Sequence, residues 1–289
     1  MEKRPCTKTD GWYEAWDLGD GIWRISDHGQ DNMYLIIGTE KAILFDTGFG
    51  AGELATFVAS ITDKPVSVVM GHGHPDHACG NDFFPVTYGA MEDIRGWCDN
   101  MTVEKLAAIR AGVRQDQRLS IEKKAGKDTA GAKTKEEPKT ATPVPGENIP
   151  VEDGCVLELG GRKLTLYKVP GHTPGSLCAL DDSTNTLFTT DTYVATRYWG
   201  PMWLHLKNCA PFSVYRDSLR KMVDLKASTL LCGHGEVDHL PAAELESYAQ
   251  MVADICDGKL TGEPEETIAG PGLLARRGDT AVLYRAENL

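Results

Sequence analysis

The run Gly71-His72-Gly73-His74-Pro75-Asp76-His77 follows the apolar stretch Val66-Ser67-Val68-Val69-Met70 and packs three imidazoles and a carboxylate into six positions. A chain that buries this stretch as a strand carries those polar groups to the strand's end, where leaving them without a partner is costly. Neutral imidazole with carboxylate suits zinc, iron or manganese, so the run reads as a metal site. If the backbone leaves the strand still extended, His72 and His74 project to one side. Asp76 and His77 lie past Pro75, where the chain turns and faces a second ion.

The chain has eight histidines, and two others stand in similar surroundings. His172 sits in Val169-Pro170-Gly171-His172-Thr173-Pro174-Gly175-Ser176, after the strand-like Lys163-Leu164-Thr165-Leu166-Tyr167. His234 sits in Leu230-Leu231-Cys232-Gly233-His234-Gly235, after another apolar run. Between them, Thr186-Leu187-Phe188-Thr189-Thr190-Asp191-Thr192 ends in a lone carboxylate positioned to reach both ions. His28, His205 and His239 carry no motif, and a surface or structural role is the expectation for each.

In this order and context the chain resembles the metallo-β-lactamase-fold hydrolases, whose signature is His-x-His-x-Asp-His followed by His, Asp and His. Asp46-Thr47-Gly48, after Ala42-Ile43-Leu44-Phe45, resembles that family's early Asp-Thr-Gly turn, and Asn32-Met33-Tyr34-Leu35-Ile36 resembles its first core strands. The resemblance implies an α/β fold, a four-layer αββα sandwich. It also implies two divalent ions, zinc being expected and iron or manganese possible on the same donors. His72, His74 and His172 would hold the first ion, Asp76, His77 and His234 the second, and Asp191 would bridge them. Asp46 would support a ligand histidine from behind.

The same resemblance sets the expected chemistry. Two dications roughly 3.5–4 Å apart present a bridging hydroxide to a substrate carbonyl, with Asp76 orienting the nucleophile and passing its proton to the leaving group. Asp191 points to thioesterases of the glyoxalase II type and to lactonases, because typical β-lactamases of the family carry cysteine or serine at that place. A lactone, ester or thioester is thus the expected substrate class. The C-terminal part shows no recognisable glutathione-binding pattern. By analogy with the lactonases, Tyr193 or Tyr198 would hydrogen-bond the developing oxyanion. These phenols lie in the aromatic segment 193–205, which reads either as core or as the wall of a substrate pocket.

Composition narrows the alternatives. Lys and Arg total 30 against 42 Asp and Glu, a net charge of −12, which disfavours a broad grip on nucleic acid or anionic lipid. A phosphodiesterase or nuclease of the same superfamily is therefore the second reading, with β-lactam amide hydrolysis and a non-catalytic metal-binding protein behind it. The expected partner is a small molecule, apolar or aromatic in character. No apolar run marks a signal peptide or a membrane span, so the expectation is a cytoplasmic protein without membrane contact. Eight cysteines scattered without a Cys-x-x-Cys pair fit free thiols in a reducing compartment. Cys79, close after His77, reads as a small buried residue, with a redox or ligand role as its alternative.

At 289 residues the chain is expected to form one domain, residues 1–289, with an insertion at about 115–150. Strands are expected at 23–25, 33–38, 41–45, 66–70, 157–159, 164–169, 177–180, 186–190, 229–232 and 280–285. Helices are expected at 52–61, 101–114, 211–225 and 241–256. Lys123 to Pro150, rich in Lys, Thr, Ala, Glu, Gly and Pro, reads as a surface loop or a lid over the metal cleft. The sequence does not fix an oligomeric state.

Overall fold

The structure, a computed structural model, describes residues 4–27, 29–124, 146–196, 200–204, 209–235, 238–267 and 270–289. Strands β1 (Lys8–Thr9), β2 (Glu14–Gly19), β3 (Ile22–Ser26), β4 (Asn32–Ile37), β5 (Ala42–Phe45), β6 (Val66–Val69), β7 (Val86–Gly89) and β8 (Glu147–Pro150) stand side by side in chain order. The pairings are antiparallel as far as β5 and parallel from β5 to β8. Parallel neighbours need long crossovers. These are supplied by α1 (Leu54–Ala59), by the single turn α2 (Pro75–Ala78), and by α3 (Met91–Asn100) with α4 (Val103–Lys124).

The second half builds a sheet from β9 (Cys155–Glu158), β10 (Lys163–Lys168), β11 (Leu177–Asp181), β12 (Thr186–Thr190), β14 (Thr229–Cys232) and β15 (Leu240–Pro241). Helix α5 (Phe212–Asp224) carries the chain from β12 to its parallel neighbour β14, and α6 (Ala242–Cys256) follows β15. Alternation along the strands sets the layers. Tyr34, Ile36, Ile43 and Phe45 of the first sheet meet Leu164, Leu166, Leu177 and Phe188 of the second in one buried cluster. The intervening residues Met33, Leu35 and Leu44 face the other way, onto Leu54, Phe57 and Val58 of α1. Leu187 and Leu230 likewise turn to Phe212, Tyr215 and Leu219 of α5 and to Leu245, Tyr248 and Val252 of α6. Helix, sheet, sheet and helix are thus the four layers of the expected αββα sandwich.

The two sheets are also tied by charge. Arg162 donates from Nε and Nη2 to the two carboxylate oxygens of Asp181 at 2.9 and 2.7 Å. Its Nη1 reaches the carbonyls of Asp20 and Ile37 at 2.7 and 3.0 Å, at one end of the first sheet.

Three expectations are corrected. The expected last strand is β18 (Thr280–Tyr284), and it lies in a four-stranded sheet with β13 (Met202–Leu204), β16 (Glu263–Thr267) and β17 (Gly270–Arg277) that the sequence did not announce. Pro264, Gly270, Pro271 and Gly272 give β16 and β17 a turn-like composition, and partner strands override it. The helix expected to stop at Arg114 runs on to Lys124. The expected insertion at 115–150 is reduced from both sides: its first ten residues continue α4, and Glu147–Pro150 pairs with β7. The rest, including the proposed lid, lies outside the described residues.

Candidate metal centre

The site forms where strand ends of both sheets meet. His72 follows β6, and His74, still extended at φ −77° and ψ 151°, caps α2 with Pro75 in its first turn. That turn swings Asp76 and His77 out of line with His72 and His74. His172 stands in the turn between β10 and β11, Asp191 directly after β12, and His234 just after β14. A bulge between Phe188 and Thr190 and a left-handed Thr190 (φ 43°) re-aim the chain at Asp191. A β-branched residue in this region is strained, as is Asp46 at φ 63°, and both sit at the site.

Two sets of donors result. In each of the groups His72, His74, His172 and Asp76, His77, His234, one ligand atom per residue lies within 4.8 Å of the others. His172 Nε2 stands 2.9 Å from His74 Nδ1, and His77 Nε2 stands 3.2 Å from His234 Nε2. Asp191 lies between the groups, with Oδ2 at 3.1 Å from His234 Nε2 and 3.7 Å from His172 Nε2, and Oδ1 at 3.5 Å from His77 Nε2.

The opposite ring nitrogens are held from behind, which sets the tautomers. His77 Nδ1–H donates to Asp46 Oδ2 at 2.9 Å, His172 Nδ1–H to the Trp203 carbonyl at 2.8 Å, and His234 Nδ1–H to the Gln30 carbonyl at 2.7 Å. His72 Nδ1–H donates to Thr190 Oγ1 at 3.0 Å, and that hydroxyl donates to Asp46 Oδ2 at 2.8 Å. Four Nε2 atoms are thereby turned into the site, the arrangement that orients metal-binding imidazoles. His72 Nε2 is buried with no hydrogen-bond partner among the described residues. An orphaned nitrogen facing further imidazoles and a carboxylate fits a bound cation.

The two groups differ in proton affinity. Burial, then the neighbouring imidazoles, hold His72 well below the usual histidine range, and burial lowers His74 and brings His172 to about 4. Burial also opposes charge on His77 and His234, but Asp191 and nearby carboxylates outweigh it. His77 is held well above the usual range and His234 at about 9. Burial opposes the charge of Asp76 and Asp191 too, and the adjacent histidines keep both well below the ordinary carboxylate range. At pH 7 an ion entering among His72, His74 and His172 meets neutral donors, whereas one entering at His77 and His234 displaces protons. Affinity at the second group therefore rises with pH by up to about one decade per unit for each proton released. The part of the rise that belongs to His234 levels off above about pH 9. Calorimetric titration in buffers of different ionisation enthalpy should show proton release for one ion and none for the other; equal release for both would refute the assignment.

Some contributors escaped the sequence reading. Asp93, at the start of α3, is 6% exposed and accepts Gly73 N–H at 2.8 Å, Gly175 N–H at 2.9 Å and Thr173 Oγ1–H at 2.7 Å. It clamps the His72–His74 loop to the His172 loop. Asn32 donates to the Cys232 and Gly235 carbonyls at 3.1 and 2.8 Å, and Tyr34 OH to Cys232 O at 2.7 Å, so the first sheet grips the His234 loop. Gly233 fits there because a Cβ would lie 2.5 Å from Asp191 Oδ1. An Asp early in a helix or an Asn opening a strand has no signal that names a partner far along the chain.

The donors open on a cleft of about 240 Å³, lined opposite His74, Asp76, His172, Asp191 and His234 by Val194, Pro201, Met202 and Trp203. The expected aromatic segment thus reaches the cleft with Trp203, but its tyrosine does not. Tyr193 does not line the cleft; its ring packs on Tyr248 at 5.3 Å in the helical core, which corrects the oxyanion role expected of it. Tyr198, its alternative, lies outside the described residues, as do His28 and His205. Burial pushes the Cys79 thiol up to about 12, so it remains a protonated core residue at neutral pH.

A sandwich of two sheets whose joined ends carry two His/Asp clusters defines a class of metal-dependent hydrolases. The chain belongs to the metallo-beta-lactamase superfamily, whose sequence profile matches residues 26–234, and it is accordingly a metallo-hydrolase whose fold implies divalent metal binding. It is 26% identical over 243 residues to the acyl-coenzyme A thioesterase MBLAC2 of Homo sapiens, covering 74% of this chain and 77% of that protein. Hydroxyacylglutathione hydrolase of Mesorhizobium japonicum is 36% identical over 92 residues, 32% of this chain and 34% of that one. Among solved structures, a metallo-beta-lactamase from Erythrobacter litoralis superposes with a TM-score of 0.56 at 16% identity, covering 86% of this chain and 99% of that one. One from Hirschia baltica gives 0.54 at 16% identity, over 83% and 97%. At such identities these likenesses show the fold alone. Among the described residues no helix is long and apolar enough to cross a membrane.

Proposed function

We propose that the protein is a binuclear, metal-dependent thioesterase that hydrolyses a small-molecule acyl thioester to a carboxylic acid and a thiol. The observation that carries this reading is Asp191, a carboxylate facing both donor groups at once. The relative that matches most of both chains is named as a thioesterase, which favours a thioester over a lactone or oxygen ester. The nitrogen and carboxylate donors suit zinc, and the two groups hold one ion each.

When bound, the ions supply hydroxide at neutral pH and polarise the carbonyl. The remaining work belongs to the chain. Asp76, whose side chain at 30% exposure is the most open carboxylate of the site, orients the attacking oxygen and takes its proton. A thiol leaves readily as thiolate, since its ordinary pKa is about 8.5, so little acid assistance is needed at sulfur. Val194, Pro201, Met202 and Trp203 give the acyl group an apolar wall and keep bulk water from it. Among the described residues no cysteine forms a disulfide, which supports a reducing, cytoplasmic setting.

The test is hydrolysis by zinc- and manganese-loaded protein of acetyl-CoA, a lactone, an aryl ester, a β-lactam and bis(4-nitrophenyl) phosphate. Thioester turnover that stops with chelator and returns with metal is expected. Turnover of the phosphodiester alone would move the protein to the nuclease branch and overturn this reading.

A further inference from the structure

The cleft continues into a groove of about 370 Å³ with which it shares Pro201 and Trp203. The floor of this groove is the outer face of the four-stranded sheet. Register pairs Trp203 with Leu283 and Leu283 with Leu274, so these three side chains form one row across β13, β18 and β17. Arg276 pairs with Ala281 in the next row, and Pro201, one residue before the Met202–Val282 pair, extends that row to the cleft. Arg276 therefore stands about two strand spacings, roughly 10 Å, from the cleft wall. Glu265 lines the opposite end, paired with Gly272, four residues back along β17 and roughly 13 Å away.

Arg276 is exposed and has no ion pair or hydrogen bond among the described residues. Nearby arginines differ: Arg277, on the other face of β17, binds Asp254 at 2.6 Å, and Arg285, just past β18, binds Glu287 at 3.2 Å. An unpaired guanidinium beside Leu274 and Leu283, on a floor continuous with the reaction cleft, is suited to an anionic group carried on an extended chain. The geometry points to a specificity subsite: the substrate's remote arm crosses Trp203 onto the C-terminal sheet and places an anionic group, phosphate or carboxylate, on Arg276. This inference rests on the thioesterase reading and deepens it. Trp203 joins the two regions, since its carbonyl fixes the ligand His172 while the residue lines both cavities.

The experiment compares three acyl thioesters on the zinc-loaded protein: neutral S-acetyl-N-acetylcysteamine, acetyl-CoA with its anions on the thiol arm, and S-succinyl-N-acetylcysteamine with its anion on the acyl arm. Wild type should favour one anionic substrate over the neutral one, and which one identifies the arm. Arg276→Ala should lower that advantage about tenfold, the size of a lost charge-assisted hydrogen bond, through KM rather than kcat. Arg276→Lys should restore part of it, and Arg277→Ala should not alter the preference. An equal response of all three substrates to Arg276→Ala, or none, would overturn the subsite. If wild type hydrolyses no thioester, the thioesterase reading fails separately, and calorimetric binding of CoA and of the succinyl compound decides the subsite. Binding about tenfold weaker in Arg276→Ala supports it, and unchanged or absent binding refutes it.

Discussion

Asp191→Ala should lower turnover by at least about three orders of magnitude and leave the protein unable to retain two ions together, because one carboxylate faces both donor groups. The loss is larger than that of one coordinating oxygen. Asp191 is also the leading charge that raises His77 and His234, so its removal changes the protonation of the second group as well as its geometry. Asp191→Asn separates the effects, keeping shape while removing charge. Turnover, metal content by mass spectrometry and circular dichroism on both variants provide the check. A folded Asp191→Ala protein with two ions and wild-type turnover would disprove the bridging role.

The second large effect falls on stability. Arg162→Ala should cost about 3–5 kcal/mol, the usual range when one partner of a buried ion pair is removed. Arg162 is 6% exposed and Asp181 fully buried, and the substitution strips Asp181 of both guanidinium bonds and the Asp20 and Ile37 carbonyls of theirs. Burial opposes the charge on Asp181, but Arg162 outweighs it and lowers its pKa. A lowered carboxylate pKa stabilises above its unfolded value of about 3.9 and loses that contribution as pH falls through the folded value. The difference between wild type and variant should therefore narrow below about pH 4. Urea unfolding at pH 7 and pH 3.5 tests both statements, and a difference under about 1 kcal/mol at pH 7 would show that the pair is not a tie between sheets.

The proposed metal-binding positions were readable because each is a chemically unusual residue at the end of an apolar run. His72, His74, Asp76 and His77 are close in sequence, and His172, Asp191 and His234 repeat the pattern of strand followed by turn. The structure brings all seven together. Of their supports, Asp46 was readable from its Asp-Thr-Gly turn, and the others were not. Asp93, Gln30 and Trp203 act through backbone carbonyls or amides, or through partners roughly 80 to 200 positions away in the chain, and nothing local marks such a partner. Tyr193 shows the reverse error: an analogy placed a phenol by its nearness to Asp191 in sequence, but the chain turns after Asp191 and sends that ring into the helical core. The extra sheet was missed because Pro264, Pro271 and three nearby glycines gave β16 and β17 the composition of turns.

The grip of Asn32 and Tyr34 on the His234 loop also bears on how the chain matures. Four of the proposed ligands come from the first half of the sequence and three from the second. Asp191 and His234 meet Asp76 and His77 only after strands far apart along the chain have docked, a contact of high sequence separation that forms at considerable entropic cost. Catalytic competence is therefore a late acquisition, and a nascent chain that has made only its first sheet carries His72, His74, Asp76 and His77 without the residues that complete either proposed donor set.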